Sequence, residues 1–81
     1  MLDKNKDEEI VEFFGIDNII KDIYFEGETR GGAIIFGRQQ DDKILFVPKS
    51  AIKGSWKKDE VFPQTIKIKF GIKLYWKERK Y

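Results

Sequence analysis

Near the C-terminus, apolar residues alternate strictly with other residues over positions 65–77, and this pattern limits the fold most. The apolar positions are Ile66, Ile68, Phe70, Ile72, Leu74 and Trp76; between them lie Thr65, Lys67, Lys69, Gly71, Lys73, Tyr75 and Lys77. Side chains alternate between the two faces of a strand, so a period of two predicts β-structure and not a helix. Because 13 residues exceed a usual strand, we expect one strand bent at Gly71 or two strands that meet there.

Three earlier segments are also rich in strand-forming residues, over positions 19–26, 33–36 and 43–47. Gly27 and the Gly31-Gly32 pair separate the first two, and a polar turn over 39–42 separates the last two, which predicts a hairpin. The hairpin strands are apolar on both faces, which predicts strands that are covered on both sides or lie at the centre of a barrel. Pro48 should end the last strand, and the connector that follows should place Ile52 and Trp56 in the core.

The N-terminal region favours a short helix over residues 7–14. Asp7, Glu8 and Glu9 supply first-turn acids, Ile10, Val11 and Phe14 recur at helical spacing, and Gly15 is a natural stop. Residues 1–6 are too polar to pack and should fray. Together the segments predict a single domain over 1–81 that is mainly β (α+β): a small curved sheet or partly open SH3-like or OB-like barrel of 4–5 strands with a short N-terminal helix.

Composition excludes most catalytic chemistry. The chain has no Cys and no His, so Cys/His zinc sites, disulfides, cysteine nucleophiles and histidine bases are impossible. It has neither a Walker phosphate loop nor a dinucleotide glycine fingerprint, and Asp41-Asp42 and Asp7-Glu8-Glu9 lack the spacing of a calcium loop. We therefore predict a protein that is not an enzyme, with no catalytic residues, no metal and no cofactor.

Hydropathy gives an expectation about location. No apolar run approaches the roughly 20 residues that span a bilayer, and the first nine residues lack the apolar segment of a signal peptide. The sequence therefore predicts a cytoplasmic protein with no membrane partner.

Charge is distributed unevenly along the chain. Residues 1–42 hold five basic and eleven acidic residues, a net charge of −6, whereas residues 43–81 hold eleven basic and three acidic residues, a net charge of +8. If the even positions of 66–76 point inward, the opposite face displays lysines around one tyrosine: Lys67, Lys69, Lys73, Tyr75 and Lys77, with Lys49 and Lys53 extending the patch. Lysines attract phosphates and a tyrosine ring can stack on an unpaired base, so this face predicts binding of single-stranded DNA or RNA.

Two other interpretations of the lysine face remain open. Lysines on an exposed strand also protect its edge from aggregation and keep a small protein dissolved. A second functional hypothesis is a protein-interaction or inhibitor module, encoded by a phage or other mobile element, that uses a strand edge or an aromatic patch. The oligomeric state does not follow from the sequence.

A resemblance supports the mobile-element setting. The segment 43–52, in which a hydrophobic strand ends in Phe46-Val47 and is followed by Pro48-Lys49-Ser50, resembles a group of short phage- and plasmid-encoded proteins of unknown function. Upstream, Glu28-Thr29 and the Ala-Ile-Ile run at 33–35 are similar to the preceding strand of that group, so the resemblance covers about residues 24–52. The present chain departs from the group at Phe46, where Trp is commoner, at Ala51, where a polar residue is usual, and in its lysine-rich tail. The resemblance implies a small β-rich fold and no known activity.

Overall fold

Seven antiparallel strands form one sheet in the computed structural model, which describes residues 9–79. The strands are β1 (Glu9–Phe13), β2 (Ile19–Glu28), β3 (Ala33–Gly37), β4 (Lys43–Pro48), β5 (Ile52–Lys53), β6 (Gln64–Ile68) and β7 (Ile72–Glu78). Their order in the sheet is β1-β7-β4-β3-β2-β6-β5, so β1 and β5 are the edges and the sheet is not closed. The prediction of a mainly β fold is confirmed, but the strands number seven and not 4–5.

The central part of the sheet is a meander of β2, β3 and β4, at the positions that the sequence predicts. Ile34 and Phe36 of β3 and Leu45 and Val47 of β4 point into the core and are completely buried. The prediction that both faces are covered is wrong, because Phe46 on the opposite face is 37% exposed. Pro48 is the last residue of β4, as expected of a residue that lacks an amide donor.

The alternating C-terminal segment forms two strands, β6 and β7, which meet at a turn containing Gly71. Gly71 has a φ of 88°, a left-handed conformation that glycine adopts without steric cost. Ile66, Ile68, Leu74 and Trp76 are buried, so the alternation correctly predicts the inward face over most of its length. Phe70 is the exception: it lies in the turn, where the strand period does not hold, and is 70% exposed.

The predicted helix over 7–14 is wrong for the described residues 9–13, which form strand β1. β1 pairs antiparallel with β7, from Glu9 opposite Trp76 to Phe13 opposite Ile72. Alternation within β1 buries Phe13 and half-buries Val11, and β-branched and aromatic residues fit a pleated surface. An eight-residue helix is marginal in water, whereas β7 supplies hydrogen-bond partners for the backbone of β1. The prediction that residues 1–6 fray lies outside the described residues.

The core lies between the inner faces of the strands and includes the two residues expected from the connector. Ile52 is buried on β5, and Trp56 packs partly buried against the core. The Trp56 ring stacks on Phe25 with the centroids 5.7 Å apart and meets Phe36 edge-on at 6.3 Å. The 54–63 loop that carries Trp56 also accepts a hydrogen bond from the backbone N–H of Phe25 at the carbonyl of Asp59.

Two arginines organise the charges beside the β3–β4 turn. Arg38 donates to both carboxylate oxygens of Asp41 and to Glu9, and its guanidinium lies 4.1 Å from the centroid of the Trp76 ring. The hydrogen bond from Arg38 is the main cause that lowers the pKa of Asp41 below its usual value. Arg79 forms a two-point hydrogen bond with Glu26 and contacts Asp42. These contacts connect strands that are distant in sequence, which is a structural role for the arginines.

Candidate nucleic-acid interface

The residues of the predicted basic face fall into two groups in the structure. Lys73, Tyr75 and Lys77 lie together on the outward face of β7. Lys53 and Lys67 are opposite each other across β5 and β6, and Lys69 follows β6 directly. Between β7 and β6, the sheet order contains β4, β3 and β2, so the stripe expected from the sequence is divided.

Lys49, the remaining predicted binding residue, belongs to neither group. It lies in the 3-10 turn Lys49–Ala51 after β4, and its Nζ is 3.6 Å from a carboxylate oxygen of Glu28. Lys58 reaches the same oxygen at 3.8 Å. Lys49 is therefore held near an acid, in the turn that leads directly into β5.

An apolar row crosses four strands on the outward face around Tyr75. Ile10 on β1 is the register partner of Tyr75 on β7, and Ile35 on β3 is the register partner of Phe46 on β4. β4 pairs with β7 from Lys43 opposite Glu78 to Leu45 opposite Trp76. Extending this register by one residue places Phe46 beside Tyr75. We call Ile10, Tyr75, Phe46 and Ile35 the outer row; Tyr75 is 39% exposed and Phe46 is 37% exposed.

Lysines lie on both sides of the outer row. Lys77 is the register partner of Ile44, and its Nζ lies 5.9 Å from the centroid of the Phe46 ring. On the other side, Lys73 pairs with Glu12 at 3.5 Å, and both side chains are about half exposed. Such an exposed ion pair is weak, so an incoming anion can compete for Lys73.

The second lysine group borders exposed aromatic residues. Lys53 and Lys67 carry like charges on opposed positions, which is unfavourable unless an anion lies between them. Among the described residues, no acidic side chain lies within ion-pair distance of Lys53, Lys67 or Lys69. A depression of about 230 Å³ joins Lys53 and Lys67 to Phe70 and to residues 15–19.

Other concave regions of the described residues are lined by both acidic and basic side chains. One of them, about 540 Å³, runs between β1 and the first half of β2 and includes Glu9, Asp22 and Arg38. Within residues 9–79, no group of three acidic residues is placed to hold a metal ion. Hydrogen bonds from the backbone N–H groups of Phe62 and Val61 lower the pKa of Asp59, which is a turn interaction.

Sequence reasoning missed Phe46 and Ile10 as members of the exposed surface. Phe46 belongs to an apolar run that predicts burial on both faces, and Ile10 fits the helical spacing within residues 7–14. Residues 44–47 are all apolar, so the sequence does not show which face of this strand is exposed. Only the pairing of β4 with β7 shows that Phe46 and Tyr75 share a surface.

Comparisons with protein-family models, curated proteins and solved structures found no match for the chain. The resemblance over residues 24–52 thus stays a hypothesis. In the part of the chain that the structure describes, no helix is long and apolar enough to cross a membrane.

Proposed function

We propose that this protein binds single-stranded DNA or RNA on the outward face of β7 and β4. The observation that carries the proposal is the pair of exposed aromatic rings, Tyr75 and Phe46, on adjacent strands with a lysine on each side. Aromatic rings on a sheet stack unpaired bases, and the lysines attract the phosphates that connect those bases. The function is binding without catalysis.

The geometry favours a single strand over a duplex. Tyr75 and Phe46 are about one-third exposed and lie on regular strands, so a flat base can approach them but a paired base stack cannot expose its ring faces. Duplex readers commonly insert a helix into the major groove, and the described chain contains only the three-residue 3-10 turn at Lys49–Ala51.

The proposal is tested by fluorescence anisotropy of labelled oligothymidylate, oligouridylate and a duplex of equal length. The expected result is binding of the single strands at about 50 mM salt that falls steeply at about 200 mM, with weaker binding of the duplex. Stacking contributes about 1–3 kcal/mol per base, so Tyr75→Ala should weaken binding by about 5- to 150-fold.

A matched lysine pair locates the binding face. Lys77→Gln removes a charge beside Phe46, whereas Lys58→Gln removes the same charge from the 54–63 loop beside Glu28. We expect Lys77→Gln to reduce both affinity and the slope of affinity against salt, and Lys58→Gln to change neither by a comparable amount. Equal effects of the two variants would show that only net charge matters, and the proposed face would be wrong.

The alternative function, a protein-interaction module, would use the same outer row. Its distinguishing outcome is the absence of anisotropy change with every oligonucleotide at about 50 mM salt, since specific protein interfaces do not require a polyanion. That outcome would reject the nucleic-acid proposal.

A further inference from the structure

Three exposed large apolar side chains lie in two neighbouring connections between strands. Phe14 and Ile16 belong to the loop between β1 and β2, and Phe70 belongs to the turn between β6 and β7. Their exposed fractions are 55%, 99% and 70%. We call these three residues the apolar tip.

Hydrogen bonds hold the two segments that carry the apolar tip. Within the first loop, Gly15 donates its N–H to the side chain of Asn18, and the Asn18 amide donates back to the carbonyl of Gly15. The second segment is attached to the first at two points: Ile68 donates to the carbonyl of Asn18, and Gly71 donates to the carbonyl of Phe13. These hydrogen bonds fix the two segments relative to each other, so the exposure of the apolar tip is part of the fold.

A contact between two aromatic rings also joins the two segments of the apolar tip. The rings of Phe14 and Phe70 meet edge-on with their centroids 5.5 Å apart. Ile16 lies in the same depression as Phe70. Exposed apolar groups that cluster in this way mark a surface that another phase or molecule covers.

Positive charge borders the apolar tip. Lys53 and Lys67 line the depression that contains Ile16 and Phe70, and Lys69 immediately precedes Phe70. Asp17, also in this depression, is the one described acid in the first loop. The lysines exceed the acid by three to one, so the charge around the tip complements an anionic surface.

We propose that the apolar tip inserts into the surface of an anionic lipid bilayer while Lys53, Lys67 and Lys69 contact the headgroups. Apolar side chains at the depth of the headgroup boundary, combined with lysines that meet anionic lipids, are the general requirement for peripheral membrane binding. Such contact needs no membrane-spanning segment, but it departs from the sequence-based expectation of no membrane partner. It is independent of nucleic-acid binding on the outer row.

The apolar tip suits a bilayer better than a nucleic acid. Ile16 is its most exposed member and has no ring on which a base can stack, and the rings of Phe14 and Phe70 contact each other edge-on. A bilayer surface also needs no pocket of complementary shape, so exposed apolar side chains from two segments can enter it directly.

The test is sedimentation of the protein with vesicles of phosphatidylcholine alone and vesicles of phosphatidylcholine mixed equally with phosphatidylserine. We expect sedimentation with the mixed vesicles at about 50 mM salt, a decrease as salt rises, and little sedimentation with the neutral vesicles. The double variant Ile16→Ser, Phe70→Ser should reduce binding to mixed vesicles by about tenfold or more, because it removes the side chains that leave water.

A matched control uses two other highly exposed apolar residues, on the 54–63 loop. Val61 and Phe62 are 71% and 67% exposed, so Val61→Ser, Phe62→Ser also removes a β-branched and an aromatic side chain, in a loop where Asp59 and Glu60 offset the charges of Lys57 and Lys58. We expect this variant and Tyr75→Ala to sediment like the wild type. No sedimentation with mixed vesicles, equal sedimentation with neutral vesicles, or equal losses in both serine double variants would overturn the proposal.

The same variants also test whether the apolar tip belongs to the nucleic-acid site instead. A loss of oligonucleotide binding in Ile16→Ser, Phe70→Ser, together with no vesicle binding by the wild type, would assign the tip to nucleic acid and reject the lipid proposal. Loss of oligonucleotide binding only in Tyr75→Ala, together with sedimentation of the wild type with mixed vesicles, would support the lipid proposal. The two proposals therefore fail separately.

Discussion

Replacing Glu12 by glutamine should strengthen binding of single-stranded nucleic acid. Glu12 lies beside the outer row on β1, where its carboxylate is 3.5 Å from the Nζ of Lys73. A phosphate that approaches Lys73 must displace this carboxylate and is repelled by it. Glu12→Gln removes both obstacles, keeps the size of the side chain, and leaves the strand able to pair with β7.

The size of the expected gain in affinity follows from the solvent exposure of the Lys73–Glu12 ion pair. The side chains of Lys73 and Glu12 are 48% and 54% exposed, so solvent screens their attraction. Exposed pairs contribute about 0.2–1 kcal/mol, which sets the gain in affinity at up to about fivefold. Since the Debye length is about 10 Å at 0.1 M salt, the gain should be larger at about 50 mM than at about 200 mM.

Anisotropy titration with labelled oligothymidylate measures this effect, and Glu60→Gln is the control. Glu60 is exposed in the 54–63 loop and forms no ion pair with another described residue, so its replacement changes the net charge equally. The reasoning predicts a gain for Glu12→Gln that exceeds the gain for Glu60→Gln. Identical gains, or a lower affinity in Glu12→Gln, would refute it, because the acid beside Lys73 would then have no local effect on the ligand.

Three further predictions concern stability. Ile23 is completely buried, so Ile23→Val should lower the free energy of unfolding, measured in urea, by about 0.5–1.5 kcal/mol. Ile10 is an exposed member of the outer row, so Ile10→Val should change this free energy by less than about 0.5 kcal/mol. A Cβ at Gly71 would meet open space, so Gly71→Ala tests the backbone alone and should cost about 1–2 kcal/mol through the left-handed φ; an unchanged urea midpoint would contradict the assigned conformation. Because the hydrogen bond from Arg38 lowers the pKa of Asp41 in the folded state, this stabilisation is present above the unfolded pKa of about 3.9 and is lost as pH falls through the folded value. The decrease in the urea midpoint between neutral and acid pH should therefore be smaller in Asp41→Asn, and an equal decrease would argue against the contribution.

Most strands follow from local sequence patterns. β-branched and aromatic residues between glycines and polar turns predict β2, β3 and β4 close to their observed bounds. The alternation over 65–77 predicts β6 and β7 and their inward residues, apart from the turn residue Phe70. These patterns can be read from the sequence because the strand period is a local property of the backbone. Gly71 and Pro48 end strands through their own backbone geometry, without contact from another strand.

Local sequence patterns do not specify which distant segments pair with each other. Ile10 and Val11 fit a helix or a strand in isolation, and contact with β7, more than 60 residues away in the chain, selects the strand for β1. Residues 7–14 taken alone therefore favour a helix, because this segment does not include the pairing partner β7.

The residues of the candidate sites also differ in whether the sequence or only the tertiary structure shows that they lie together. The sequence by itself determined that Lys73, Tyr75 and Lys77 share one face of a strand, since residues two apart point to the same side. Only the tertiary structure decided that Phe46 joins Tyr75, that Lys53 and Lys67 face each other on another part of the sheet, and that Phe14 meets Phe70 at the apolar tip. The reason is that alternation specifies the face of each residue within its own strand, whereas strand order and register specify which faces become neighbours.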